Sequence, residues 1–396
     1  MDIQSKRDLY SIYFLSNSGV VVIMSYLILL MQERGLDETQ IGYIAAYSAI
    51  ATLLSNTFFG RLSDLIGRRK FIIFGLLVSS ISTFLFVIPL DYWGFTLARV
   101  FNGIALGVFP SSLVGVASDR GMKLGKLSAY GSIGWATGGL LGGYLADVLG
   151  LQWLFITSSI FYLLSFLVAL FLGTGKGFKP VIRDETRAER RNSGRDSGRD
   201  SGRHSRMYSK AVERNWMVYL LFILRHGTAN AIWIYWALFL KNDLHLTTTQ
   251  IGVVQATNMI TQFVLMRAVT DRLNPRLMLI LGGLASSLAF FSFTITTSFL
   301  EIVLAQIILG ISWALFYVGG LRTVEEQSKK DGIVATGTGL FNASLSTSQI
   351  VGPFLAIYLF SISSDYILSM NFASIITLIA TSIYFVIGRP VTDFSI

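Results

Sequence analysis

The chain has 396 residues, 53% of them hydrophobic and only 14% charged, with a mean hydropathy of +0.59. A soluble protein carries about 25% charged residues, so no water-soluble core can hide this much apolar surface, and a bilayer is the fitting solvent. The chain has no cysteine, which excludes disulfides, thiolate catalysis and Cys-based metal sites.

Crossing the hydrocarbon takes roughly 20 apolar residues per helix. Met1 to Asp8 is charged and runs straight into a long apolar stretch with no small-residue cleavage site, so the first helix is expected to be retained. Apolar segments follow at 9–31, 39–60, 71–90, 94–117, 127–149, 151–173, 216–240, 249–266, 277–297, 300–321, 332–360 and 366–388. They predict an all-α integral membrane protein of twelve transmembrane helices, with ten or eleven as the alternative count. The eleventh segment is too long for one straight span, and its start is expected to lie outside the core. Residues 174–215 form the one long polar stretch. In it Ser193-Gly194-Arg195-Asp196 is repeated at once and then followed by Ser201-Gly202-Arg203-His204. Such a composition builds no core and predicts a disordered, basic tether near anionic lipid headgroups. The expected organisation is a six-helix bundle over 1–173, the tether over 174–215, and a second bundle over 216–396.

Of the 32 Lys and Arg residues, 28 fall on the side of the membrane that holds the termini and the tether. Arg34 and Lys241 fall on the other side, and Arg99 and Arg225 lie inside helices. The positive-inside rule then places both termini in the cytoplasm and the chain in the plasma membrane. The net charge of +9 follows from this topology and needs no nucleic acid as a partner.

The two halves carry the same marks in the same order. Leu36-Asp37-Glu38-Thr39-Gln40-Ile41-Gly42 is matched by Leu246-Thr247-Thr248-Thr249-Gln250-Ile251-Gly252, 210 residues on. Asp64 is matched by Asp271, and Leu97-Ala98-Arg99 with Gly103 by Leu304-Ala305-Gln306 with Gly310, each 207 residues on. Two pseudo-symmetric six-helix bundles joined by a polar link are the plan of a transporter, with substrate held between the halves near the midplane. No phosphate-binding loop is present, since Gly173-Thr174-Gly175-Lys176 lacks the spacing. Transport is therefore expected to be secondary, with no cofactor and a proton or ion gradient as its drive.

The loop after the second segment reads Gly60-Arg61-Leu62-Ser63-Asp64-Leu65-Ile66-Gly67-Arg68-Arg69-Lys70. It resembles, position for position, the signature loop between helices 2 and 3 of the major facilitator superfamily. The resemblance implies that Asp64 caps a helix N-terminus of the other half, helix 11, when the outward-facing state is formed, and that Arg68 pairs with an acid at the cytoplasmic end of helix 4, where Asp119 stands. A carboxylate stabilises a helix N-terminus, and a partly buried ion pair is costly to break, so the loop would act as a conformational switch. The second copy keeps Asp271 but has lost the glycines and holds Pro275. Arg99 with Gly103 resembles the family's helix 4 motif, with Asn102 in place of the common Gln, and the resemblance links Arg99 to coupling or substrate. A structural arginine bonded to backbone carbonyls is the alternative. In helix 5, Gly134, Gly138, Gly139, Gly142 and Gly143 resemble the motif of the family's antiporters, with Gly139 where proline is expected. Glycines at this spacing also let helices approach closely. Gly352-Pro353 takes the corresponding place in helix 11.

No Asp or Glu falls in the middle of a predicted helix. His226 is then the one interior side chain that titrates near neutrality, and it or an outer carboxylate such as Glu33 is expected to carry the proton. A histidine simply packed near a helix end is equally open. Arg99 and Arg225 predict a positive cavity suited to an anionic or neutral solute. Asn17, Tyr26, Asn230, Trp233, Trp236, Asn258, Asn342 and Gln349 are further candidates for substrate contact, each also readable as packing. Trp233 and Trp236 share one helix face, turned to the cavity or to lipid. The expected function is gradient-driven carriage of a small organic solute by a monomer, leaning to efflux against protons. Uptake of an organic anion, sugar or nucleoside by symport is the alternative. A membrane enzyme or receptor finds no motif in support, and membrane lipids are the other expected partner.

Overall fold

The computed structural model describes residues 3–120, 122, 124–172, 197–268, 273–329, 331 and 333–388. Asp271 and most of the tether lie outside the described residues, and so do the side chains of Gly60, Arg61, Asp64 and Asp119. Twelve helices run in order: α1 Ile3–Glu33, α2 Glu38–Ile66, α3 Arg68–Phe84, α4 Tyr92–Asp119, α5 Leu124–Leu149, α6 Leu151–Leu170, α7 Ser197–Asn242, α8 Thr248–Ala268, α9 Pro275–Ile295, α10 Phe299–Lys329, α11 Val334–Ser363 and α12 Ile367–Ile387.

Among the described residues, nine of these helices are long and apolar enough to cross a membrane. The other three, α2, α5 and α8, are diluted by Gly, Ser, Thr and Gln, and they sit at the junction of the halves: α5 packs on α8, and α2 on α11. A helix that meets another helix on its polar, small-residue face need not be apolar all round. α7 begins earlier than expected, at Ser197, so residues 197–215, read from composition as disordered tether, are helical. From Met207 onward the reason is visible in the packing. Ala211 and Asn215 are buried, Asn215 Nδ2 donates to Ser328 Oγ of α10 at 3.2 Å, and Arg214 Nε donates to the Asp331 carboxylate. α11 is one unbroken helix of 30 residues with Pro353 inside it. At 1.5 Å per residue it outruns the hydrocarbon.

The twofold repeat is written in the packing. In the first bundle α1 meets α5 and α6, α2 meets α4, and α3 meets α4 and α6; the second bundle repeats every pairing six helices on. Asp37 with Gln40 closes a capping box at the start of α2. Thr247 and Gln250 do the same before α8, with Thr247 N donating to Gln250 Oε1 (2.9 Å) and Gln250 N to Thr247 Oγ1 (3.2 Å). The matched sequence segments therefore stop and start the same two helix ends. Ser80 and Ser159 exchange reciprocal hydroxyl-to-carbonyl bonds of 2.9 Å between α3 and α6, and Ser287 and Ser374 exchange the same pair between α9 and α12. Arg69 donates to Leu170 O (2.7 Å) and Arg276 to Phe385 O (3.0 Å), each tying the start of one helix to the end of its neighbour.

One buried apolar core runs the length of the first bundle, from Leu9, Leu113 and Leu172 at the tether end, and joins the second bundle at the far end, where Tyr26, Leu30 and Ile41 come together with Tyr235, Trp236 and Ile251. A separate core, around Phe222, Phe316, Phe341 and Tyr384, belongs to the second bundle alone and lies at the tether end.

Candidate functional site

The space between the bundles is sealed at the far end and lined by polar and aromatic groups toward the tether end. The seal is built where α5 meets α8. Asp147, in the last turn of α5, accepts from the backbone N–H groups of Thr248 (Oδ1, 3.0 Å) and Thr249 (Oδ2, 2.8 Å) and from the Thr248 hydroxyl. A carboxylate of the first bundle thus caps a helix N-terminus of the second, where exposed N–H groups and the helix dipole favour negative charge. Nearby, Ser25 Oγ donates to Gln255 Oε1 at 2.5 Å. Tyr235 OH donates to Glu38 O (2.8 Å) and Tyr366 OH to Glu38 Oε1 (3.1 Å). Lys241 Nζ stands 3.4 Å from Glu33 Oε1, so the expected outer carboxylate is engaged in an exposed ion pair.

The helix 5 glycines form two stripes. Gly134 and Gly138 press on α1, where a Cβ would stand 2.4 Å from Phe14 O and 2.2 Å from Ser18 O. One residue on, about 100° around the helix, Gly139 and Gly143 face α8, and a Cβ at Gly143 would stand 2.3 Å from Thr248 O. Gly142 lies beside Tyr26 and Val22. Gly352 serves α7 in the same manner, its absent Cβ making room for Asn230. Tyr26, a candidate for substrate contact, is fully buried in the seal and donates to Gly139 O at 2.8 Å.

Toward the tether end, α1 and α5 present Tyr13, Asn17, Tyr130 and Trp135. Trp135 Nε1 donates to Asn17 Oδ1 at 2.9 Å, and Asn17 Nδ2 to Tyr13 O at 2.7 Å. Across from them α10 presents Trp313 and Tyr317, whose rings stack at 5.4 Å. Tyr13 and Tyr317 lie within electrostatic reach of one another across the halves. His226 stacks on Trp313 at 4.9 Å, and its Nδ1 is buried without a hydrogen-bond partner among the described residues. Asn342 and Gln349, seven residues apart on α11, are exposed. A polar side chain at that depth belongs to a wet gap rather than to lipid. Asn230 donates to His226 O at 2.7 Å. Asn258 donates to Gln306 Oε1, also at 2.7 Å, and so stays within the second bundle.

The two interior arginines differ from the simple expectation of a positive cavity wall. Arg225 is 2% exposed and turned into the second bundle. Its guanidinium carbon lies 5.2, 4.9 and 5.4 Å from the ring centres of Phe290, Trp313 and Phe316, and Nε donates to Ser286 Oγ at 2.9 Å. An aromatic cage holds the charge in place of a counter-ion. Arg99 is 9% exposed. It donates to Asn102 Oδ1 at 2.8 Å, Asn102 donates to Ser82 Oγ at 3.1 Å, and Nη2 reaches Met24 Sδ at 3.7 Å. Its bonds go to side chains rather than to the backbone carbonyls expected of a structural arginine. Among the described residues neither arginine has a carboxylate partner. Trp236 is 5% exposed and packs on Phe293 at 4.7 Å, with Trp233 edge-on beside it, so their shared face meets the core that joins the bundles rather than cavity or lipid.

In the signature loop, Gly67 links α2 to α3 at φ +111°, a conformation that glycine alone adopts readily. The Arg68 guanidinium lies over Gly115 of α4, where a Cβ would stand 2.6 Å from Cζ, and Arg69 is spent on Leu170 O. Sequence reasoning missed Trp313 and Tyr317, and it does not single out Asp147 among the outer carboxylates. The i, i+4 aromatic pair on α10 was the available signal for the first two.

The comparisons bear on this arrangement at three levels. Residues 9–228 and again 218–395 match the Major Facilitator Superfamily. The chain is 27% identical over 146 residues to the quinolone resistance protein NorA of Staphylococcus aureus, a stretch covering 35% of this chain and 38% of that one. It is 29% identical over 180 residues to the multidrug resistance protein MdtG of Dickeya zeae, covering 42% and 44%. The matched stretches thus span less than half of either relative. Among solved structures, a POT family transporter in complex with 5-aminolevulinic acid superposes with a TM-score of 0.78 at 13% identity, covering 98% of this chain and 96% of that one. The nucleoside transporter NupG superposes with 0.75 at 13% identity, covering 98% and 100%; likeness at that identity speaks for the fold. With the twelve helices, the repeated pairings and the signature loop, these matches establish that the chain belongs to the Major Facilitator Superfamily.

Proposed function

We propose that this protein exports small aromatic organic compounds across the plasma membrane in exchange for protons, by alternating access between its two bundles. The tether end then faces the cytoplasm, as the distribution of basic residues requires, and the far end faces outward. The tether itself spans the part of 174–215 that precedes α7's packing. The carrier works as a monomer without a cofactor. The observation that carries the substrate class is the gap's aromatic wall of His226, Trp313 and Tyr317, faced by Tyr13. Stacked rings reward a planar aromatic solute by about 0.5–1.5 kcal/mol per contact beyond area burial. The names of NorA and MdtG agree with export. Uptake of an organic anion by symport is the second reading, and Arg99, buried with no carboxylate partner among the described residues, is what favours it.

Proteoliposomes loaded with an aromatic dye and given an imposed pH gradient test the proposal. Flux of dye against the direction of proton flow supports export, and co-directional flux supports symport. Trp313→Ala is expected to lower dye flux roughly tenfold, the loss of one to two stacking contacts. Undiminished flux would take the wall out of the substrate path.

Proton coupling is assigned to the outer carboxylate Asp147 rather than to Glu33 or His226, because Asp147 accepts three bonds across the bundles from the start of α8, whereas Glu33 makes one exposed ion pair across them and His226 packs within the second bundle. Ionised, it accepts three bonds from α8; protonated, it keeps only part of that capacity. The groups that face it are Thr248, Thr249 and the Tyr26 hydroxyl. The outward seal is therefore firm while Asp147 is ionised and weakens as the outer pH falls through its titration. Asp147→Asn is expected to leave substrate exchange intact while abolishing its acceleration by external acid. Acid acceleration that persists in the Asn variant would remove Asp147 from the coupling scheme.

A further inference from the structure

His226 has one ring nitrogen shut away and the other open. Among the described residues Nδ1 is buried and bonded to nothing. Nε2 makes no bond to them either, yet it is not closed off, and the side chain as a whole is half-buried. The polar groups beside it are committed elsewhere. The Asn230 amide donates to His226 O (2.7 Å), the Thr228 hydroxyl to Leu224 O (2.9 Å), and Arg225 Nε to Ser286 Oγ. On α11 this level runs from Ser348 to Gly352. It lies about 20 Å along the helix from Ala335, the nearest α11 side chain outside the described residues.

No acid stands within electrostatic reach of the ring among the described residues, and such an imidazole is neutral at about pH 7.5, with a single proton to place. Buried N–H groups without a partner are rarer than buried acceptors without one. The proton therefore belongs on Nε2, the nitrogen that a solute can reach, and the bare nitrogen is the one shut away. The ring is also held in position. Its plane lies 22° from that of Trp313, and the Arg225 guanidinium steadies the same indole from 4.9 Å. An imidazole N–H lies in the plane of its ring, so this donor points along the aromatic wall rather than out of it. A flat solute resting on the wall meets it edge-on, where the oxygen of a ring carbonyl lies.

We propose that His226 is a fixed N–H donor that selects, among flat aromatic solutes, those carrying an oxygen acceptor in the plane of the ring, such as ring ketones, lactams and aryl carboxylates. This rests on the aromatic wall being the substrate path, and it adds a second requirement to flatness. A solute that offers no acceptor leaves the N–H without water and without a partner, which is costly in a closed site. The residue sets specificity by what it donates, and it does so without changing its own protonation.

Equilibrium dialysis of the full chain in detergent, at about pH 7.5, against labelled 9-fluorenone and fluorene tests this. The two are flat tricycles that differ only by C=O in place of CH2, and empty micelles correct for partition. The wild type is expected to prefer the ketone about fivefold, the contribution of one net hydrogen bond. His226→Phe keeps a flat ring and removes the donor, and it is expected to bring the preference to within about twofold. His226→Gln carries an amide N–H to about the reach of Nε2 and is expected to keep it. A residue that only shaped the fold would move both affinities together and leave their ratio alone. Equal binding of the two compounds by the wild type overturns the proposal and leaves the aromatic wall standing. A preference that persists in a folded His226→Phe variant overturns it in the same way. A wild type that binds neither compound removes the wall from the substrate path, and this inference with it.

Discussion

Gly143→Leu is expected to hold the far mouth open and to reduce transport by at least tenfold. A Cβ at this position would stand 2.3 Å from the carbonyl oxygen of Thr248 and 3.0 Å from the Tyr26 hydroxyl. The first obstacle is backbone at the start of α8, which cannot turn aside as a flexible side chain would. The bundles must part there, and with them the bonds from Asp147 to Thr248 and Thr249 lengthen together. Overpacking a close contact costs roughly 1–3 kcal/mol, a shift of about 5- to 150-fold in the balance between the two mouths. Because a carrier must visit both states, holding it in one slows every cycle. Melting temperature is expected to change little, since the strain is relieved by opening rather than by unfolding. Transport at the wild-type rate from a folded Gly143→Leu variant would mean that α5 and α8 do not come this close in the working cycle.

The second large effect concerns Arg225. Truncation by Arg225→Ala empties the space between Phe290, Trp313 and Phe316 and leaves Ser286 without its donor. The cavity and lost contacts are expected to cost about 2–5 kcal/mol, read as a clear fall in melting temperature in detergent. Arg225→Met fills most of that volume and removes a charge whose burial is itself costly, so its melting temperature is expected to lie close to that of the wild type. The contrast separates packing from recognition. If the guanidinium instead held an anionic substrate, Met and Ala would both abolish binding while leaving the melting temperature of the empty carrier nearly alike.

Much of this architecture is legible in the sequence because a membrane enforces it. Twelve apolar runs must become helices to satisfy their own backbone in lipid, and the repeat from Leu36 and Leu246 turns out to be two capping boxes, a local device that has to be spelled out in residues. The glycines of α5 were legible as a close-packing seam, though not as two stripes serving α1 and α8 separately. What stayed hidden was the direction in which a side chain points once its helix is packed. Trp236 and Tyr26 look like ligand contacts because both are amphipathic, yet both are buried in the core that joins the bundles, Tyr26 at the far seal. Hydropathy does not decide between such places, since lipid and helix interior are equally apolar. Arg225 reads as a cavity charge because a cation inside a helix normally needs water or an acid. Three aromatic rings from α9 and α10, far apart in sequence, supply the third option. Asp147 does not stand out among the outer carboxylates because its partners are backbone N–H groups, which no sequence pattern marks.

Alternating access between the bundles is the central claim, and the absence of native cysteine makes it directly measurable with pairs of introduced spin labels. One pair, Tyr130→Cys on α5 with Asn342→Cys on α11, spans the tether end; another, Val148→Cys on α5 with Leu244→Cys after α7, spans the far mouth. Pulsed electron–electron distances are expected to move in opposite senses when a transported compound is added or the pH is lowered, the first pair closing as the second opens. Distances that stay fixed, or that lengthen together at both ends, would contradict the account.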